Sequence, residues 1–181
     1  MTKARDIANA GTALATVDAT ELGYLDGVTS AIQTQIDTKA PSTAPTLTAP
    51  LVVSPEERMT VSATAATGTV DFDADTQGVL YYTTDASADW TLNVRGSAST
   101  TIDSKLAVGD SMTVAFLVTN GATGYKHSAL TIDGSAQTVK FSGGTAPAAG
   151  NASAIDAYSF TIIKTASATF TVLGAGPIKY A

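Results

Sequence analysis

The sequence predicts a mainly β protein: a short N-terminal helical oligomerisation segment followed by an antiparallel β-sandwich of jelly-roll type. Three observations lead there. Beyond Pro50, apolar residues recur at every second position, in short runs spaced near the roughly 8–12 residues of sandwich folds. No ten-residue helical pattern separates those runs, which argues against a parallel sheet with helical crossovers. Before Pro50, Leu22, Leu25, Thr29, Ile32, Ile36 and Lys39 follow a 3-4-3-4 spacing, a miniature a/d seam.

Residues 1–16 are rich in Ala, Asn, Thr and Gly with scattered charge, and read as an N-terminal arm that a partner would order. Residues 17–40 form the helical module. Asp18 and Glu21 make a capping box, and Val17 and Leu22 take the two positions of a hydrophobic staple around it. Asp26-Gly27 is a stop signal, because glycine enters the left-handed region at little cost. Ser30 and Gln33 form a second capping box, opening a helix that Pro41 ends. Gly23 and Gly27 interrupt any continuous coil, so the module reads as two short capped helices around a Gly27 elbow. Isolated helices need about 12–15 residues to persist, so these must pack against something. Leu22, Leu25, Ile32 and Ile36 are therefore predicted to pack between copies of the chain, as a dimer or trimer; a helical hairpin folded back on its own domain fits the same pattern. Residues 41–50 contain Pro41, Pro45 and Pro50 among Thr and Ala, a composition for a stiff, extended linker and the best domain boundary in the chain.

Residues 51–181 form the predicted sandwich. Strands are expected at 58–64, 70–73, 79–83, 90–94, 111–119, 129–132, 139–141, 158–164 and 168–173. Met59, Val61 and Ala63 make the apolar set of the first; Trp90, Leu92 and Val94 make that of the fourth. Asn120-Gly121 and Asp133-Gly134 are turn dipeptides, and 143–151 is a loop by composition.

Composition narrows the function. Ala, Thr, Ser and Gly supply about half of the 181 residues and charged residues only 14%, a balance unlike a cytosolic metabolic enzyme or a disordered acidic tail. A net charge of −6 opposes nucleic-acid binding, which needs cations for the phosphates, and gives no attraction to anionic membranes. The chain has no cysteine, which excludes disulfides and thiolate-bound zinc. No apolar run reaches the roughly 20 residues of a membrane span, and the first residues lack the apolar core of a secretory signal. Neither membrane insertion nor a cofactor is expected.

Three candidate sites stand out. Asp71, Asp73 and Asp75 alternate, which puts their carboxylates on one strand face where they fit either a Ca²⁺ ion or a solvated, charge-protected sheet edge. The spacing is not that of an EF-hand loop, since Thr76 and Tyr82 occupy its glycine and glutamate positions. His127, the sole histidine, is expected on an exposed loop beside Tyr125 and Lys126. No nucleophile-elbow motif or cysteine accompanies it, and the glutamates end at Glu57, so catalysis is not expected. Trp90, Tyr81, Tyr82, Tyr125 and Tyr158 offer faces for sugar stacking, but Trp90, Tyr81 and Phe116 fit the sandwich core, Trp90 above all, and Tyr125 is the better surface candidate. Tyr125 and His127 are the surface pair expected to touch a glycan.

The segment TELGYLDGVTSAIQTQID at 20–37 resembles a stalk segment of tail fibres and other virion proteins of marine bacteriophages, cyanophages above all. TKARDIANAG at the start is similar to the lead-in of such proteins. VLYYTTDASADWTLNVRGS at 79–97, LAVGDSMTVAFLVTNG at 106–121 and the run from 133 to 174 resemble a β-rich module appended to cyanophage structural proteins. The resemblance implies a homotrimer, held to other virion proteins through residues 1–40, with its β-domain on the exposed surface of the particle. The chain lacks the long β-helical shaft of a full-length fibre. It fits a short fibre or spike, a capsid decoration or head fibre, or a receptor-recognition tip that binds glycans.

Overall fold

The alternating residues past the linker build ten strands. The computed structural model describes residues 56–181 and Thr20; the arm 1–16, the module 17–40 with Leu22, Leu25, Ile32 and Ile36, and the linker 41–50 otherwise lie outside the described residues. In chain order the strands are β1 (Met59–Ala65), β2 (Gly68–Asp73), β3 (Val79–Thr84), β4 (Trp90–Arg95), β5 (Ser111–Asn120), β6 (His127–Ile132), β7 (Ser135–Gln137), β8 (Val139–Phe141), β9 (Ala154–Ala166) and β10 (Thr169–Tyr180). A four-residue helix, α1 (Ile102–Lys105), lies between β4 and β5. Each expected strand is present; β7 and α1 were not foreseen, being too short to show a period.

The strands sort into a six-stranded sheet, β1-β3-β5-β9-β10-β8, and a four-stranded sheet, β2-β4-β6-β7. From β1 to β6 the chain alternates between the two, so each neighbouring pair in one sheet is joined through a strand of the other. That winding makes β1–β3, β3–β5, β2–β4 and β4–β6 parallel, and β8–β10 is parallel as well. Only β5–β9, β9–β10 and β6–β7 are antiparallel. The expectation of an antiparallel, jelly-roll sandwich is thereby corrected to two mixed sheets. A parallel pair needs a long crossover, commonly a helix; here a strand of the facing sheet fills that role, so the missing helical pattern carried no information about strand direction.

The turn dipeptides show the same point. Asp133-Gly134 makes a tight hairpin between β6 and β7, with φ of 51° and 78° at its two residues, as a two-residue turn of the right twist requires. Asn120-Gly121 instead starts the loop that carries the chain from the six-stranded to the four-stranded sheet.

The core lies between the sheets. Phe72, Trp90, Leu92, Val94 and Ile132 reach it from one, and Val114, Phe116, Tyr158, Phe160 and Ile162 from the other, all essentially inaccessible. Trp90 stands edge-on to Phe116 and Tyr158, with ring centroids 4.6 and 5.1 Å away. Such edge-to-face pairs add about 0.5–1.5 kcal/mol each beyond the burial itself. Ile102 of α1 plugs one end of the core; Thr101 caps this helix by accepting from the Ser104 N–H, and the Asp133 carboxylate accepts from the N–H groups of Ile102 and Asp103.

Candidate functional site

The acidic run does not stand free. Asp71 and Asp73 point outward from β2, an edge strand of the four-stranded sheet, beside Asn93 and Arg95 of β4. The Arg95 guanidinium bridges them, with Nε 2.6 Å from Asp73 and Nη1 3.0 Å from Asp71. Bonding to Asp73 raises the Arg95 pKa above its usual value against the opposing pull of desolvation, and the Asp71 charge adds to it. Asn93 donates to Asp71 at 2.7 Å and accepts from the Thr131 hydroxyl at 2.8 Å, so the row continues across three strands. Asp75 lies past the end of β2, in the turn, and pairs with Lys105. The protein's own cations thus meet all three carboxylates, and among the described residues no group of three or more His, Cys, Asp or Glu side chains is arranged to hold a metal ion.

His127 is not on an exposed loop: it opens β6 and is 5% exposed. The reason is pairing. β6 aligns with β4 from Trp90 onward, which drives the imidazole into the core among Trp90, Phe141 and Phe160, with centroids 5.3, 5.9 and 4.9 Å away. Burial, reinforced by the Lys126 charge and partly opposed by a hydrogen bond with the Ala129 backbone, lowers its pKa to about 4, so the ring is neutral. Its Nε2 and the neighbouring Trp90 Nε1 are buried without a hydrogen-bond partner. It therefore offers no surface contact to a glycan. Burial likewise raises the pKa of the Tyr158 hydroxyl, which accepts from the His127 N–H at 3.5 Å.

Tyr125 is half-buried and its ring packs against the core. Its loop is pinned. Asn120 accepts from the Tyr125 N–H and donates to its carbonyl, both at 3.2 Å, and also donates to Asp156 at 3.1 Å. Asp156, fully buried, takes two more bonds from the backbone and side chain of Asn151, at 2.8 and 2.7 Å. Gly150 passes so close to Tyr125 that a Cβ there would lie 2.0 Å from the Tyr125 carbonyl oxygen. A second buried charge, Lys164, is paired with Asp103 at 2.8 Å and donates to the Leu106 carbonyl at 3.0 Å, tying α1 to β9. That pairing and the Ala168 N–H hold the Asp103 pKa below the usual carboxylate range.

The surface that sequence reasoning missed is the outer face of the six-stranded sheet. The register places Val61, Tyr81, Leu117, Ala157 and Ile178 in one row across five strands. The adjacent row is Met59, Val79, Ala115, Ser159 and Ala175. On β1 the apolar set points outward while Thr60 and Ser62 face the sheet partner's inner side, the reverse of what alternation alone suggests. Val61 is 62% exposed, Ile178 52% and Met59 46%. The signal was present: β1 is apolar at the positions aligned with Tyr81 rather than with buried Leu80. Tyr81, a candidate core residue, belongs to this face, whereas Trp90 and Tyr158 are core.

No protein-family model matches the chain, and no curated protein or solved structure matches it significantly.

Proposed function

We propose that this chain is a non-enzymatic structural protein of a bacteriophage particle, a short trimeric fibre or spike attached through residues 1–40 with its β-domain outward. The observation that carries the reading is the use the β-domain makes of its reactive side chains. Asp71, Asp73 and Asp75 are held by Arg95 and Lys105, Asp156 by two asparagines, Asp103 by Lys164, and His127 is sealed among aromatic rings. Each of these groups maintains a strand pairing or a loop, which is the economy of a scaffold. The seam at Leu22, Leu25, Ile32 and Ile36 and the resemblance of 20–37 to virion stalk segments support assembly as its purpose.

Sedimentation of the full chain tests the assembly. A trimer is expected, and Ile32→Asp or Ile36→Asp should weaken it, because an uncompensated charge is costly in an apolar seam. A chain that stays monomeric at high concentration with residues 1–55 intact would remove the proposal. Labelled antibody against the β-domain should decorate intact particles at discrete positions on head or tail.

A further inference from the structure

The outer face of the six-stranded sheet is built as an interface, and its occupant can be argued from the chain itself. Its two apolar rows are five strands wide and contain no charged side chain. With Ile155 and Tyr180 continuing a third row on β9 and β10, the face covers about 400 Å² by strand spacing and rise. The largest apolar patch on a single domain is commonly of about this size and is often a functional one. The sheet ends in an open hollow of about 430 Å³ beside Thr119, Ile155 and Tyr180, large enough to receive a side chain from a partner.

We infer that this face is where the β-domain of one copy packs against the β-domain of a second copy within the oligomer. The inference rests on the trimeric assembly proposed above. Two observations select a second copy as the occupant. First, the chain before residue 56 enters the fold at β1, whose Met59 and Val61 form the margin of this same face. The part of the chain that carries the 22–36 seam is therefore joined to the domain at the strand where the apolar rows begin. Second, the size fits a tethered contact. About 400 Å² is half of the roughly 800 Å² per partner in an interface that holds alone. Fifteen residues in the extended form that the prolines of 41–55 favour span about 45 Å, short enough to keep neighbouring domains at about millimolar effective concentration. A contact too weak to act between free molecules is then occupied within the oligomer.

The absence of native cysteine makes the test direct. Full chains carrying Val61→Cys, Ile178→Cys or, off the face, Val108→Cys are treated with a short bis-maleimide. Val108 is a fair control, since it is 64% exposed. Linked dimers are expected from Val61→Cys and Ile178→Cys at least tenfold faster than from Val108→Cys, and adding Ile36→Asp should abolish the difference. Adding Tyr81→Lys to the cysteine variants should slow linking without changing the sedimentation of the full chain. Trimeric sedimentation with equal linking at all three positions would overturn the face contact alone. Monomeric sedimentation of the unmodified chain would overturn the assembly reading and this inference with it.

Discussion

On the four-stranded sheet, the outward row Asp71, Asn93 and Thr131 is joined side chain to side chain across three strands, with Arg95 closing it to Asp73. On the six-stranded sheet, the outward row Val61, Tyr81, Leu117, Ala157 and Ile178 carries one hydroxyl, and that meets only Thr119 at 3.5 Å. The two outer faces use the same backbone geometry and the same period. One completes its hydrogen bonds laterally along the whole row; the other does so where Thr113 meets Thr161 at 3.0 Å, while its rows through Val61 and Met59 are almost entirely apolar. The difference teaches that the outward polar row of the four-stranded sheet serves strand pairing, and that the proposed contact between copies draws on the apolar rows of the six-stranded sheet.

If polar groups are retained here for their lateral bonds, removing the most buried of them should do most damage. Asp156→Ala leaves Asn120 and both Asn151 donors without their acceptor in the interior. Bonds to a charged acceptor contribute about 1.5–3 kcal/mol each, so a loss of at least about 3 kcal/mol is expected in urea unfolding. A loss under about 1 kcal/mol would show that the clasp around Tyr125 is incidental.

His127 sharpens the comparison from inside the four-stranded sheet. Its folded pKa of about 4 lies below the unfolded value of 6.5, so the unfolded chain binds the extra proton between those limits. Its contribution is complete above about pH 6.5 and is lost as pH falls toward 4, amounting to roughly 3 kcal/mol at most. Thermal or urea unfolding across that window should record the decline, and His127→Phe should flatten it. An unchanged slope in the variant would assign the acid sensitivity to other groups.

The smallest effect is expected on the exposed polar row. Arg95→Met leaves Asp71 and Asp73 facing each other without their shared cation. The unfolding midpoint should fall slightly at low salt, and the deficit should shrink as salt is added, since partly exposed charges are screened. A deficit independent of salt would mean that the Arg95 stem, rather than its charge, holds β2 to β4.

How far these features were readable in advance differs by kind. Strand positions were legible because alternation at 90–94 and 111–119 is a local property, and it placed Trp90, Leu92 and Phe116 correctly in the core. The edge position of β2, with its carboxylates outward, was also an expectation drawn from Asp71 and Asp73. Strand direction was not legible. Parallel and antiparallel strands share a period of two, and the crossovers from β1 to β6 are strands rather than helices.

What the sequence by itself determined is therefore where the chain extends and which side chains must share a face. Both follow from propensity and periodicity along a few consecutive residues. At β1 and β6 the tertiary structure alone decided which face is inside. At β1 the neighbours of Leu80 and Tyr81 turn Met59 and Val61 outward, and at β6 alignment with Trp90 turns His127 inward. A strand has two equivalent sides until another strand pairs with it, and the partner's register then chooses between them.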